Sequence, residues 1–373
     1  MYLNKVTIVC CLLLSPLFVT AAFEEPHLGR SLFKTGHQTW RLEDKTRSVD
    51  PYNNNAGSDT RVLVTEIWYP SDDVTGTLLG KNAPVTRSPG PFPLIIYSHG
   101  ILSERMECAY LGRYLAERGV IVVSFTAPGT SLYDVGNLNY EDIYKLPGDV
   151  SFLIDEMLRR DNDENSPFYG KIDQSRIGAA GTSLGANVTL MTAFKSSLRD
   201  PRISLAVTFA GGVHEELEET MFDETEADIP LLLVHGNIDP IVPYEENALV
   251  LLGSAPGTTY LLTLIGGTHT GFAHAAKLFF MANNADQIGC WVLAKTGILQ
   301  CDIPLPEGMK PQRQHDLCAI AVWSFISMYF SEGAEERDDA ADFFLNDMPS
   351  KYGDEIELQS NREWKMLRRG GRP

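Results

Sequence analysis

The sequence has little positive charge for its size. Its 31 lysine and arginine residues are outnumbered by 49 aspartate and glutamate residues, which gives a net charge of -18 at neutral pH. Nucleic-acid phosphates and anionic lipid headgroups repel such a surface, so we expect neither nucleic acid nor an anionic membrane surface as a partner. Internal repeats and low-complexity tracts are also absent. The apolar fraction of 44% and the charged fraction of 21% then indicate an ordinary globular protein with a large core.

Cysteine is scarce as well, and two of the six cysteines lie in an apolar N-terminal stretch. Residues 1–5 carry one positive charge, residues 6–19 are almost wholly apolar, and small residues end the stretch at Ala22. This pattern is typical of a secretory signal peptide and is too short to favour a transmembrane anchor. We therefore expect a cleaved signal peptide over residues 1–22, no stable membrane insertion, and a secreted or periplasmic protein.

Four cysteines remain after the signal peptide: Cys108, Cys290, Cys301 and Cys318. An even number in an exported protein indicates two disulfides, although four cysteines permit three connectivities. We favour Cys290–Cys301, because it would staple a long insertion, and Cys108–Cys318 then follows. The alternative is that the thiols stay free and buried, which cysteine tolerates well.

A glycine-rich turn, Gly181-Thr182-Ser183-Leu184-Gly185, is the strongest functional signal. It lies between an apolar run at residues 176–180 and a stretch at residues 186–195 that is typical of a helix. A sharp strand-to-helix turn strains the backbone at the serine and lifts its hydroxyl to the positive end of the helix, where an oxyanion is stabilised. The G-x-S-x-G pattern alone often marks an ordinary loop, but this setting favours Ser183 as a nucleophile.

Later strands offer an acid and a base in the order that this architecture requires. Asp239 lies in a proline-bounded loop after the apolar run at residues 229–234, and His269 lies in a loop after a strand pattern at residues 259–265. Neighbouring parallel strands end at the same edge of a sheet, so Ser183, Asp239 and His269 are expected to converge. The alternative for Asp239 is a simple cap of the turn before the next proline.

Other histidines compete for the role of the base. We interpret His274 as structural or pocket-lining, and His235 as a brace for Asp239. His214 precedes the acid in the chain, which is the wrong order. Three further histidines do not follow a predicted strand, where the base is expected: His27, His37 and His315. His269 and His274 lack the spacing of a helical metal-binding pair, and no cysteine or carboxylate cluster accompanies them, so we expect no bound metal.

A second donor for the oxyanion is expected on the loop after the apolar strand at residues 92–97. Gly100 allows the backbone to turn toward the nucleophile, so the amide of Ile101 would join that of Leu184 in an oxyanion hole. The plainer alternative is that the glycine simply ends the strand. It fits less well, because a helical stretch at residues 103–118 and a further strand follow in the expected order.

With these motifs the chain resembles the serine α/β-hydrolases. It is similar in particular to a secreted group that includes dienelactone-hydrolase-like proteins, platelet-activating-factor-acetylhydrolase-like enzymes and bacterial polyester hydrolases. The matching segments span roughly residues 50–330: residues 61–70, 97–100 and 181–185, Asp239 with Val242-Pro243, and His269 with Gly271-Phe272. The resemblance implies an α/β-hydrolase fold, a mostly parallel central sheet flanked by helices, and carboxylic ester hydrolysis by Ser183, His269 and Asp239. It also implies a small-molecule ester or lipid substrate and no cofactor.

Three positions depart from the patterns of this group. Dienelactone hydrolases proper use a cysteine nucleophile, so Ser183 argues against a dienelactone substrate. Ala127 stands before Pro-Gly, where a histidine is often found, and an Arg-Pro-x-Asp pattern is changed to Leu146-Pro147-Gly148-Asp149. The sequence therefore does not predict the pocket wall beside these segments.

The pattern along the chain predicts one hydrolase domain over residues 23–331, which begins with an irregular entry segment at residues 23–55. A long connection at residues 130–147 carries three tyrosines and is expected to overhang the site. An insertion at residues 273–314 follows the candidate base. It is either a lid or pocket wall that binds an acyl chain, or a packed structural extension. A polar tail at residues 332–373 is expected to be loosely held.

Two other functional classes are compatible with this fold. A catalytically inactive hydrolase-fold protein would bind a lipid or a carbohydrate without a working triad, and a peptidase or acyltransferase would use the same triad on other substrates. Because all three triad residue types are present in the expected order, we interpret the chain as a serine carboxylic ester hydrolase that forms an acyl-enzyme intermediate.

Overall fold

One nine-stranded sheet organises the part of the chain that the structure, a computed structural model, describes: residues 31–213, 222, 229–279 and 282–362. The strands are β1 (Lys34–Asp44), β2 (Arg61–Ser71), β3 (Phe92–Ser98), β4 (Ile121–Thr126), β5 (Ile172–Thr182), β6 (Ile203–Phe209), β7 (Leu231–Gly236), β8 (Thr259–Leu264) and β9 (Ile356–Ser360). The expected signal peptide lies outside the described residues, as do His27 and His214.

The order of the strands is β1-β2-β4-β3-β5-β6-β7-β8-β9. Neighbours from β4 to β8 in this order are parallel, whereas β1, β2 and β9 pair antiparallel. The carboxyl ends of β3, β5, β7 and β8 therefore lie at one edge of the sheet, and the loops that follow them meet there. This is the mostly parallel sheet that the sequence predicts.

Helices cover both faces of this sheet. They are α1 (Ala109–Ala116), α2 (Leu146–Asp161), α3 (Leu184–Phe194), α4 (Tyr244–Ser254), α5 (Asp286–Thr296), α6 (Pro311–Phe330), α7 (Ala334–Asp342) and α8 (Met348–Tyr352). Alternate residues of β3 enter two apolar cores, Leu94 in the core with α2 and α3, and Ile95 in the core with α1 and α6. A strand buried on both faces is expected to be almost wholly apolar, as β3 is from Phe92 to Tyr97. None of these described helices is long and apolar enough to cross a membrane.

The entry segment contains an edge strand that the sequence analysis missed. β1 pairs antiparallel with β2 along all of its eleven residues, from Lys34 opposite Ser71 to Asp44 opposite Arg61. Polar residues are frequent along β1, and several of its positions are exposed, because an edge strand has one neighbour and a partly open face. The prediction of an irregular entry is therefore wrong for β1.

The prediction of a loosely held tail is wrong for residues 334–360. This segment contains α7, α8 and β9, and β9 extends the sheet antiparallel to β8. Apolar side chains of the segment are buried in the same core as α6: Phe343, Phe344, Met348 and Tyr352. They alternate with acidic and polar residues, so the polar composition concealed an apolar face. Residues 363–373 lie outside the described part of the chain.

Cys290 and Cys301 form a disulfide, as predicted, with their Cα atoms 5.7 Å apart. The second predicted pair is wrong, because Cys108 and Cys318 are free, buried thiols. Burial raises the pKa of both thiols, so they stay protonated and unreactive at neutral pH. The alternative of buried free cysteines holds for this pair.

A buried ion cluster ties the 130–147 connection to the sheet. Arg61 of β2 is fully buried and donates to both carboxylate oxygens of Asp149, at 2.6 and 2.8 Å, and to Asp142 at 2.5 Å. Asp149 lies in the first turn of α2, and Asp142 lies in a 3₁₀ turn of the connection. Asp149, the aspartate of the altered Arg-Pro-x-Asp pattern, therefore pairs with Arg61 of β2, and it also pairs with Arg47 at 2.8 Å.

Arg61→Met should lower the free energy of unfolding by about 3–5 kcal/mol, because it leaves the buried Asp142 without its nearest cation and the buried Asp149 with Arg47 alone. Arg41→Met is the matched control, since Arg41 is exposed on the neighbouring strand and pairs at the surface with Glu43. Equilibrium unfolding in urea should give a lower midpoint for Arg61→Met and a midpoint near that of the wild type for Arg41→Met. Equal midpoints for the two variants would contradict a structural role for the cluster.

Candidate active site

Ser183 lies at a strained turn between β5 and α3. Its backbone has φ 55° and ψ -119°, a conformation that a residue with a side chain adopts only under constraint. The Ser183 amide donates to the carbonyl of Phe209 on β6 at 2.8 Å, and the Ser183 carbonyl accepts from the amide of Ala186 at 2.9 Å. The serine is therefore fixed beyond the strand ends, at the positive end of the α3 dipole.

The two glycines of the turn leave no room for a side chain. A Cβ at Gly181 would lie 2.2 Å from the carbonyl oxygen of Gly185, and a Cβ at Gly185 would lie 2.0 Å from the carbonyl oxygen of Ser98. Contacts this short are impossible, so the start of α3 packs onto the end of β3 only because both positions are glycine.

Asp239 and His269 are in direct contact. The Oδ2 atom of Asp239 accepts a hydrogen bond from Nδ1 of His269 at 2.7 Å. The Oδ1 atom accepts from the amides of Ile241 and Val242, at 2.8 Å each. The Asp239 side chain is fully buried. The carboxylate thus caps its own turn with one oxygen and orients the imidazole with the other.

The electrostatic surroundings of His269 favour its protonated form. Burial lowers the pKa of His269, but the charge of Asp239 and its hydrogen bond outweigh burial, so the pKa lies above its ordinary value. The charges of Asp286 and Glu107 act in the same direction. Because Nδ1 is engaged by Asp239, Nε2 is the nitrogen that remains to accept a proton.

A ring contact joins the loop of His269 to the residue of β6 that holds the Ser183 amide. Phe272, in the 3₁₀ turn after His269, packs on Phe209 with ring centroids 5.7 Å apart. The carbonyl of Phe209 is the acceptor for the Ser183 amide. Within the described residues, the imidazole of His269 hydrogen bonds to Asp239 and not to Ser183. Such serine–histidine bonds are often long without substrate and tighten when a complex forms.

The loop after β3 reaches Ser183 at Gly100. A Cβ on Gly100 would lie 3.2 Å from the Cβ of Ser183, so the loop passes directly against the serine. Two residues later the chain turns away again at Leu102, which has φ 59° and whose amide donates to the carbonyl of Thr130 at 2.8 Å. The oxyanion loop, residues 98–103, is thus held between the serine and the 130–147 connection.

Two amides beside Ser183 are free to hold an oxyanion. Among the described residues, neither the amide of Ile101 nor that of Leu184 donates to a backbone carbonyl. Leu184 is the first residue of α3, where the amides of a helix have no acceptor within the helix. The sequence predicts these same two donors, and their role in an oxyanion hole stays a prediction.

His99 fixes the peptide that joins Gly100 to Ile101, which the sequence analysis did not anticipate. Nε2 of His99 accepts from the amide of Ala127 at 2.9 Å, so the ring proton is on Nδ1, which donates to the carbonyl of Gly100 at 2.7 Å. Burial lowers the pKa of His99 to about 4, so the ring stays neutral at neutral pH. In a trans peptide the N–H points away from the C=O, so the bond to the Gly100 oxygen also directs the amide of Ile101.

The insertion after His269 holds the loop at residues 268–270 through hydrogen bonds. Asp286, buried at the start of α5, accepts from the amide of His269 at 2.9 Å and from that of Thr270 at 2.6 Å. Gln314 of α6 exchanges two hydrogen bonds with the backbone of Thr268, at 3.1 and 2.8 Å. The inner side of the insertion is therefore packed structure that fixes this loop. An acid in the first turn of a helix was the available sequence signal for Asp286.

The outer side of the insertion carries exposed apolar side chains: Leu278, Ile288, Trp291 and Ile303. On the other flank of the site, the 130–147 connection exposes its three tyrosines: Tyr133, Tyr140 and Tyr144. The connection adjoins the oxyanion loop through the bridge between Ser103 and Ser131. Apolar surface is thus available on both segments that border the candidate site.

Other histidines near the site have structural contacts. His235 donates from Nε2 to a main-chain carbonyl of the next loop at 2.8 Å and lies 3.6 Å from Asp239, so it braces the loop of the candidate acid. The rings of His274 and His315 stack with that of Tyr110. Within the described ranges, no group of three or more histidine, cysteine, aspartate and glutamate side chains is placed to hold a metal ion.

The chain is similar to curated hydrolases and esterases over part of its length, and no family model matches it. It is 29% identical to the 20-hydroxy-prefusarin hydrolase FUS2 of Gibberella moniliformis over 180 residues, 48% of this chain and 39% of the relative. It is 24% identical to the esterase FrsA of Shigella boydii over 221 residues, 47% of this chain and 50% of the relative. It is also 27% identical to the esterase FrsA of Escherichia coli over 146 residues, 37% of this chain and 31% of the relative. The matches thus span half or less of these relatives.

A solved structure extends the similarity to most of the fold. The ferulic acid esterase of Streptomyces cinnamoneus matches 82% of this chain and 95% of its own, with a TM-score of 0.57 and 19% sequence identity. Together with the mostly parallel sheet and its flanking helices, this similarity shows that the chain has the α/β-hydrolase fold. The predicted fold class is confirmed.

Proposed function

We propose that the protein is a serine carboxylic ester hydrolase. The observation that carries the proposal is the 2.7 Å hydrogen bond between Asp239 and His269, at the same sheet edge as the strained Ser183. A serine beside an imidazole whose far nitrogen is held by a buried carboxylate is the arrangement that activates a hydroxyl for nucleophilic attack. Similarity to proteins named hydrolase and esterase supports an ester as the bond that is cleaved.

The reaction proceeds by two acyl transfers. Oγ of Ser183 attacks the ester carbonyl while Nε2 of His269 takes its proton, and Asp239 stabilises the imidazolium. The amides of Ile101 and Leu184 donate to the oxyanion, which then collapses and expels the alcohol with the proton from His269. Water, deprotonated by His269, attacks the acyl-serine and releases the acid. Residues of this chain supply every group that these steps require.

The substrate in this proposal is a small or lipid-like ester. Exposed apolar residues on the insertion, Trp291 and Ile303 among them, and the tyrosines of the 130–147 connection offer contacts for an acyl chain. The insertion is therefore a pocket wall on its outer side. Resemblance to secreted hydrolases and the Cys290–Cys301 disulfide support an oxidising location, secreted or periplasmic.

A panel of model substrates tests the proposal. We expect the protein to release p-nitrophenol from p-nitrophenyl acetate and butyrate, and to leave the matched p-nitroanilides intact. Methanol added to the assay should yield the methyl ester, because an acyl-enzyme partitions between water and other nucleophiles. Equal cleavage of the anilides would instead indicate a peptidase. Absence of turnover on every member would indicate an inactive binding protein.

A further inference from the structure

Glu107 is a buried carboxyl group that the proposed mechanism does not use. It lies just before α1 and is 7% exposed. A carboxylate in such a place is costly unless hydrogen bonds satisfy it, so its partners indicate what it does. Those partners lie on the loops that form the candidate active site.

The first partner is the oxyanion loop. The amide of Gly100 donates to both oxygens of Glu107, at 3.2 and 3.0 Å. The carbonyl of Gly100 is held by His99 at 2.7 Å. The two peptide units on either side of Gly100 are thus each held by a buried side chain, one by Glu107 and the other by His99. The direction of the Ile101 amide depends on both.

The second partner leads to the nucleophile. The Tyr97 hydroxyl donates to Oε2 of Glu107 at 3.0 Å, and the same hydroxyl lies 2.6 Å from Oγ1 of Thr182. A tyrosine has one hydroxyl proton, so the Thr182 hydroxyl must donate to Tyr97. Thr182 directly precedes Ser183 in the glycine-rich turn. A chain of hydrogen bonds therefore joins Glu107 to the nucleophile turn.

The third contact is with the loop of the base. The main-chain carbonyl of Glu107 accepts from the amide of His274 at 2.8 Å, and His274 belongs to the segment that follows His269. The negative charge of Glu107 also raises the pKa of His269. Glu107 thus contacts the oxyanion loop and the segment after His269 directly, and it reaches the nucleophile turn through Tyr97.

We propose that Glu107 is a positioning residue, whose side chain sets the oxyanion loop against the nucleophile turn. This inference rests on the proposed esterase function. A buried acid with a structural role alone needs hydrogen-bond partners, but it does not need to join three separate catalytic loops or to act on the imidazole.

The titratable groups around Glu107 make its charge sensitive to pH near neutrality. Burial raises the pKa of Glu107 to about 7, against the opposing effect of hydrogen bonds from Gly100 and Tyr97. Tyr97, Cys108 and Tyr110 also interact with Glu107, and they stay protonated in this range because burial raises the pKa of each. Glu107 is therefore the neighbour whose charge changes around neutral pH.

The imidazole of His269 responds to several carboxylates. Asp239, Asp286 and Glu107 each raise its pKa through their charge. His235, which faces it from β7, stays neutral because burial lowers its pKa. Removing the charge of Glu107 should therefore lower the pKa of His269 without breaking its bond to Asp239.

Glu107→Gln tests the inference, because the amide keeps the size and an acceptor oxygen for Gly100 but loses the charge. We expect kcat for p-nitrophenyl acetate to fall about tenfold, with KM unchanged within about twofold. The reason is that a displaced Ile101 amide stabilises the oxyanion less well in the transition state and has little effect on substrate binding. The acid limb of kcat/KM should move to lower pH, because neutral His269 is the general base and its pKa falls. The imidazole signal of His269 in NMR should titrate at correspondingly lower pH.

The matched control is Glu117→Gln, which removes a carboxylate just beyond the opposite end of α1, where it contacts Ser31 and Thr35. If the wild type is active, and Glu107→Gln has the same kcat and the same His269 titration as Glu117→Gln, the proposed role of Glu107 is wrong while the proposed function stands. A wild type without ester turnover would overturn the role of Glu107 together with the proposed function. Glu107→Ala, which also removes the acceptor for Gly100, should lower kcat further, by about 10²-fold. If this variant does not fold, Glu107→Gln still decides the question.

Discussion

Ser183→Ala should lower kcat for p-nitrophenyl acetate by about 10⁶-fold. The alanine keeps the backbone of the turn and removes the hydroxyl that forms the acyl-enzyme. The amides of Ile101 and Leu184 remain and can still polarise a carbonyl, so a residual rate above that of water is expected. The measurement is kcat and KM from initial rates, with circular dichroism to show that the fold is kept.

Ser175→Ala is the control for the serine variant, because Ser175 is exposed near the opposite end of the same strand, β5. It should leave kcat near that of the wild type. Turnover by Ser183→Ala within tenfold of Ser175→Ala would mean that another residue is the nucleophile, and the proposed mechanism would be wrong.

Asp239→Asn should lower kcat by about 10⁴-fold. The Oδ1 atom of Asp239 accepts from the amides of Ile241 and Val242, so the asparagine must place its own oxygen there. Its amide nitrogen then faces Nδ1 of His269, which can no longer donate. The imidazole must carry its proton on Nε2, and in that tautomer it cannot take the proton of Ser183. The measurement is kcat on the alkaline plateau of the wild-type pH profile, where the rate no longer rises with pH.

Glu245→Gln is the matched control for Asp239→Asn, because it also removes one negative charge. Glu245 is exposed in the first turn of α4, the helix that follows the loop of Asp239. It should leave the rate nearly unchanged. The pKa of His269 should also fall in Asp239→Asn, since Asp239 raises it, and should not change in Glu245→Gln. A rate for Asp239→Asn close to that of Glu245→Gln would show that Asp239 only caps its turn.

The sequence predicted the parts of the fold that depend on local patterns. Each parallel strand near the site is an apolar run, and Ser183, Asp239 and His269 each follow such a run, so their meeting at one sheet edge was predictable. The 2.7 Å contact of Asp239 with His269 agrees with that expectation, while their catalytic roles stay predictions. Strand β1 was missed because an edge strand mixes polar and buried positions and resembles a loop.

Long-range contacts account for most of what the sequence did not reveal. Glu107 looks like an ordinary acid at a helix start, and Asp286 looks like another, until the fold places them against Gly100 and the amide of His269. Gln314 approaches the catalytic loop for the same reason. The roles of these buried polar residues depend on partners in distant segments, and the hydrophobic pattern of the sequence does not identify such partners. The buried tail residues were missed because acidic neighbours dominate the local composition.

The most direct test of the nucleophile is covalent labelling with a fluorophosphonate, followed by mass spectrometry of the peptides. A single phosphonyl adduct on Ser183 is expected, because the reagent reacts with a serine that an imidazole activates beside an oxyanion hole. His269→Gln should abolish the labelling while the protein stays folded. An unlabelled wild type, or an adduct on any other residue, would contradict Ser183 as the activated serine of this site.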